Sequence, residues 1–134
     1  MGPLLPTNAS LVEMGWWVSS TARLSSPVGR RYARPMLLII GTVRLPPENL
    51  EAARPAMRRM VEASRREDGC IEYVYAQDLF DPGLIHVKEL WTDQAALDAH
   101  FASAHIARWR AAWPGLGIGD RDLRLYEVGE PRRT

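Results

Sequence analysis

The stretch ELWTDQAALDAHFASAH, from Glu89 to His105, holds a carboxylate, an indole and two imidazoles within one short reach of chain. A carboxylate beside an imidazole strengthens the ring's hold on a proton and selects its tautomer, which equips the pair for proton transfer near neutral pH. In LIHVKELW, a period of two puts Ile85, Val87, Glu89 and Trp91 on one strand face and His86, Lys88 and Leu90 on the other. A carboxyl among apolar neighbours must be paired, hydrogen-bonded or raised in pKa, and the last condition suits a general base. His100 shares a helix face with Ala96, Leu97 and Ala104 and is expected to point inward, toward Glu89. Two readings of Glu89 and His100 stay open: a catalytic, proton-accepting pair, or a tie between strand and helix.

The other candidates are substrate contacts. Trp91 offers an apolar wall and one N–H donor. Tyr73 and Tyr75 project to one side of the preceding strand, where a phenol can hydrogen-bond a substrate oxygen or the pair can pack at a subunit interface. His105 follows His100 by five residues, about 140° around a continuous helix, so the two converge only if the helix breaks at Ser103. Otherwise His105 caps or packs the helix junction. Trp109 stacks in a cavity or packs between helices. No metal is expected, since Glu89, His86 and Cys70 stand at no recognised ligand spacing from the two histidines. Flavins and nucleotides are not expected either: no glycine-rich strand-to-helix fingerprint occurs, the glycines at 115, 117 and 119 lying before the last strand.

These residues depend on a regular series of elements. Met36–Leu45 reads as a first strand. In the segment that follows, Leu50, Ala53, Met57, Met60, Val61 and Ser64 lay an apolar stripe along a helix that Pro55 should bend. Asp68 and Gly69 turn into a strand at Cys70–Gln77, and Asp81, Pro82 and Gly83 turn that strand into another at Leu84–Trp91. Thr92 or Asp93 can cap a helix to about Ala102, and Ser103 a further piece to Trp113, stopped by Pro114 and Gly115. Asp122–Val128 is the last strand. The order β-α-β-β-α-β, with its second helix in two pieces, is a ferredoxin-like α+β plan: a four-stranded antiparallel sheet with helices on one face. Residues 36–128 form that domain, 129–134 a short tail, and 1–35 an extension rich in Ser, Pro, Gly and Arg whose Trp16 and Trp17 could dock it elsewhere.

Composition narrows the function. The 134 residues are 46% apolar and 25% charged, an ordinary balance for one domain. The net charge of +1 conceals a +3 in residues 1–35, where Arg23, Arg30, Arg31 and Arg34 face Glu13 alone, so the remainder carries −2 and is a poor partner for nucleic acid. No apolar run approaches the roughly 20 residues that span a bilayer. Cys70 is the single cysteine, which excludes an internal disulfide and points to a reducing compartment, the cytoplasm.

An acidic-Gly-Cys turn followed by tyrosine (Asp68, Gly69, Cys70, Tyr73), then Glu89-Leu90-Trp91, then Ala-Leu ahead of Ala99-His100, with His105 five residues on, resembles the antibiotic biosynthesis monooxygenase family and its quinol monooxygenase branch. The resemblance implies a homodimer in which two sheets pack into an α+β barrel, each subunit keeping a cavity between its sheet and its helices. It implies a cofactor-independent monooxygenase that oxidises a small aromatic phenol or quinol with dioxygen. The alternative is a small-molecule binding or isomerising protein that uses the same cavity without oxygen chemistry. Haem-degrading proteins of this plan carry a histidine ligand late in the second helix, where this chain has Arg108, Trp109 and Arg110, so haem is not expected.

Overall fold

The computed structural model describes residues 35–134; the expectations for the preceding segment, Trp16 and Trp17 included, lie outside the described residues. β1 (Met36–Arg44) is aliphatic and β-branched, and it buries Leu37, Ile39 and Val43 on one face. It is a central strand, antiparallel to β3 (Leu84–Trp91) on one side and to β4 (Gly119–Val128) on the other. β2 (Cys70–Gln77) adds outside β3, completing a four-stranded sheet in the order β2-β3-β1-β4. β1 and β4 approach so closely at Gly41 that a Cβ there would lie 1.9 Å from the Asp122 carbonyl oxygen. Just beyond it, between Thr42 and Arg44, the register of this pair slips.

The described helices cover one face of the sheet. A single 3-10 turn, Pro47–Asn49, leads into α1 (Leu50–Arg65), whose inward stripe is Ala53, Met60 and Ser64. Pro55 stands in the second turn of α1, where its missing N–H leaves the Glu51 carbonyl without a helical donor. α2 (Gln94–Phe101) is capped by Asp93, which accepts from the Ala96 N–H at 2.8 Å. After a break at Ala102 and Ser103, α3 (Ala104–Leu116) begins with Ser103 as its cap. The split α+β plan expected from the sequence is the one observed.

Two boundaries differ from expectation. Pro114 and Gly115 do not stop α3, which continues to Leu116 and ends at Gly117 with φ of 72°. A proline forfeits one hydrogen bond inside a helix, but the left-handed closing turn requires a residue that tolerates positive φ, and Gly117 is the one that supplies it. β4 accordingly starts at Gly119, ahead of Asp122. The core fills the space between sheet and helices: Leu37, Ile39, Met60, Trp91, Leu97 and Ile106 form one cluster, and Val43, Leu45, Ala53, Ile85 and Val87 a second. No helix of the described residues is long and apolar enough to cross a membrane.

Candidate functional site

Register sets the floor of the site. Tyr73 of β2 pairs with Glu89 of β3, and both side chains turn toward the helices, Tyr73 only 2% exposed and Glu89 4%. A bulge between Cys70 and Glu72 fixes this facing. The reading of Tyr73 and Tyr75 as subunit-interface residues on the open face of the sheet is therefore corrected: they stack on each other, centroids 5.9 Å apart, on the helix side. Burial raises the pKa of both phenols, so they remain neutral donors.

Glu89 Oε2 accepts the Trp91 indole N–H at 3.1 Å, a contact the strand makes possible because residues two apart share a face. Burial pushes the Glu89 carboxyl above its usual range; the Trp91 bond and the charges of Arg121 and Arg110 pull in the other direction. His100, 1% exposed, stands in the last turn of α2 and faces this carboxyl. Its Nε2 lies 3.9 Å from Glu89 Oε2, too far for a direct hydrogen bond and close enough for one water, or a substrate hydroxyl, to touch both. Burial lowers the imidazole's pKa, against the opposing pull of Glu67.

Glu67 is the residue that sequence reasoning missed. Its Oε1 lies 2.9 Å from His100 Nδ1, and the same oxygen contacts His105 Nε2. The turn that carries it is pinned to the start of α2: Thr92 N–H donates to the Gly69 carbonyl at 2.9 Å. Gly69 has φ of 81°, and a Cβ there would meet Thr92 Oγ1 at 2.6 Å and Ala96 Cβ at 2.5 Å. Only glycine fits this approach. The break at Ser103 turns α3 so that His105 comes back toward His100, rings 6.0 Å apart, where a continuous helix would have separated them. Ser103 Oγ donates to the His100 carbonyl at 2.6 Å and holds the junction.

Glu67, His100 and His105 are a group whose donor atoms all lie within 4.8 Å of one another, close enough to surround a cation. Here both imidazoles are engaged on one carboxylate oxygen, so the cluster is closed by its own hydrogen bonds.

Between floor and helices is a cavity of about 20 Å³, room for about one water. Tyr73, Tyr75, Glu89, His100, Trp109 and Trp113 line its interior, and the exposed Phe101, Arg110 and Arg121 form its rim. The indole N–H groups of Trp109 and Trp113 are buried without an acceptor among the described residues. Of the sequence candidates, Glu89, His100, Tyr73 and Trp109 meet at this cavity. Trp91 stands behind Glu89 in the core instead of forming the wall. His105 lies on the other side of Glu67, where it lines an outer groove between α1 and α3 with Arg59, Met60 and Arg108. The rim residues Arg110 and Arg121 also escaped the sequence reading, since a solvated arginine on a helix or strand carries no mark of the cavity it edges.

The comparisons agree with this architecture. Residues 36–112, more than half of the chain, match the antibiotic biosynthesis monooxygenase family. A structure from Deinococcus radiodurans, named as a candidate antibiotic biosynthesis monooxygenase, is 28% identical, covers 73% of this chain and 97% of its own, and superposes with a TM-score of 0.68. A similarly named protein of Nitrosomonas europaea, at 23% identity, a TM-score of 0.62, and coverage of 72% of this chain and 91% of its own, shares the fold. An uncharacterized protein of Synechocystis sp. is 26% identical over 94 residues, 70% of this chain, and the match spans 64% of that relative's length. The chain belongs to the antibiotic biosynthesis monooxygenase family.

Proposed function

We propose that the protein is a monooxygenase that oxidises a small aromatic phenol or quinol with dioxygen and needs no bound cofactor. The observation that carries this is the buried Glu89 carboxyl facing the His100 imidazole across 3.9 Å in a cavity walled by aromatic rings. A phenol placed there loses its hydroxyl proton to the pair, and the electron-rich phenolate reacts with dioxygen directly. One oxygen atom enters the ring as a carbonyl and the other leaves as water, so phenol plus dioxygen gives quinone plus water, the ring supplying the electrons. Arg110 and Arg121 at the rim favour an anionic ring over a neutral one. A phenol is larger than the cavity as it stands, so the rim side chains Phe101, Arg110 and Arg121 must move aside for it to enter. The expected homodimer and cytoplasmic location belong to the same reading.

Oxygen uptake with a panel of phenols and quinols tests it. His100→Ala and Glu89→Gln should each lower turnover by roughly 100-fold or more, the usual scale for a lost general base. Conversion of a panel compound without oxygen consumption would replace this reading by the isomerising one, which uses the same proton-transfer pair.

A further inference from the structure

His100 lies between two carboxylates, one facing each ring nitrogen, and their distances differ. Glu67 Oε1 is within hydrogen-bond reach of Nδ1 at 2.9 Å, whereas Glu89 Oε2 is 3.9 Å from Nε2. A neutral imidazole carries one proton, and it belongs on the nitrogen that has an acceptor. We propose that Glu67 is the positioning residue of the site: it takes the Nδ1–H of His100, leaves the Nε2 lone pair facing Glu89 and the cavity, and thereby makes His100 the proton acceptor. This deepens the phenol-oxidation reading and rests on it for the identity of the proton donor.

The surroundings are arranged for that role. Glu67 is itself held from behind by His105, whose Nε2 contacts the same oxygen, and by the turn at Gly69 that locks onto α2. The charged and titratable groups facing His100 are Glu67 from the turn after α1, Glu89 from β3, Tyr73 from β2, and His105 and Arg110 from α3. Tyr73 stays neutral, and burial above all, with His105 and Arg110 adding to it, disfavours a second proton on the ring against the opposing pull of Glu67. Hence the resting ring is neutral. When the substrate hydroxyl gives up its proton, the O–H electron pair stays on the phenolate oxygen and the proton bonds to Nε2. The imidazolium so formed keeps Nδ1–H on Glu67, which remains a carboxylate and stabilises the new positive charge. No proton passes to Glu67.

Nitrogen-15 NMR of the imidazole side chains of the full-length protein reads the tautomer directly. The chain has three histidines, and His86→Asn, an exposed change on the opposite face of β3, helps assign them. At a pH where His100 is neutral, the expected spectrum shows Nδ1 protonated and Nε2 bare. An Nε2-protonated ring, or an even mixture, overturns the proposal, and this wild-type measurement does not depend on any variant folding. Glu67→Gln keeps shape and removes charge. It should lower the His100 titration midpoint, move the acid limb of the pH–rate profile to lower pH, and reduce kcat by roughly 10-fold or more with KM little changed. Unchanged kcat and an unmoved limb in a folded Glu67→Gln protein would also overturn the proposal. Absence of oxygen uptake in the wild type overturns the phenol reading and leaves the tautomer assignment standing, so the two failures are separable.

Discussion

Glu89 separates a catalytic carboxyl from a structural one by the sign of its effect on stability. In the folded chain it keeps its proton to a higher pH than in the unfolded chain, because burial disfavours the anion. Between the ordinary value of 4.5 and the raised one, the native state therefore binds more protons than the unfolded state, and stability falls as pH rises through that window. Glu89→Gln removes this loss and can still accept the Trp91 N–H. The expected result is a Tm at pH 7 above that of the wild type by on the order of a few °C, with the gap closing as pH falls, alongside the loss of turnover. A lower Tm at pH 7 would mean that Glu89 ties strand to helix. Glu89 was legible in the sequence because alternation put a charge among Ile85, Val87 and Trp91. Glu67 was not, since its partners are 33 and 38 residues away and nothing local sets it apart from Asp68 beside it.

Among the elements, the break between α2 and α3 does most to build the site, and one side chain organises it. Ser103 Oγ accepts from the Ile106 N–H at 3.4 Å, donates to the His100 carbonyl at 2.6 Å and lies 3.3 Å from His105 Nε2. Ser103→Ala should cost about 1 kcal/mol in denaturant unfolding through the lost cap, and more if the junction also loosens. It should also weaken the hold of His105 on Glu67, visible as a change in the His105 imidazole spectrum. No loss of stability would show that the break is set by packing of Ile106 and Trp109 alone. The sequence announced the break through a serine ahead of a second apolar stretch, as it announced β2 and β3 through β-branched runs between turn residues. The far end of α3 was misread because Pro114 and Gly115 look like a stop, while the chain's conformational requirement falls two residues later, at Gly117.

At the scale of the whole molecule, the sheet offers a second face on which none of the described elements packs. Ile40 and Tyr126 stand 44% and 46% exposed there, with the half-buried Leu38, Val74 and Leu90 beside them. Lys88 and Glu72 form an ion pair across β3 and β2 on that face, at 2.7 Å. An apolar surface of this kind, whose charges Lys88 and Glu72 already neutralise each other, is suited to a second copy of itself: a twofold axis lays the same patch against itself. The homodimer implied by the family resemblance would use this face, with each cavity on the far side of its own sheet and complete within one chain. Sedimentation equilibrium at micromolar concentration should then give twice the chain mass, and Ile40→Lys, by putting a charge at the middle of β1, should shift the population to monomer while the cavity residues keep their contacts. A wild-type protein that sediments as a clean monomer would refute the dimer. A dimer unaffected by Ile40→Lys would locate the contact elsewhere, with the exposed Leu79 and Phe80 at the β2–β3 turn the next surface to test.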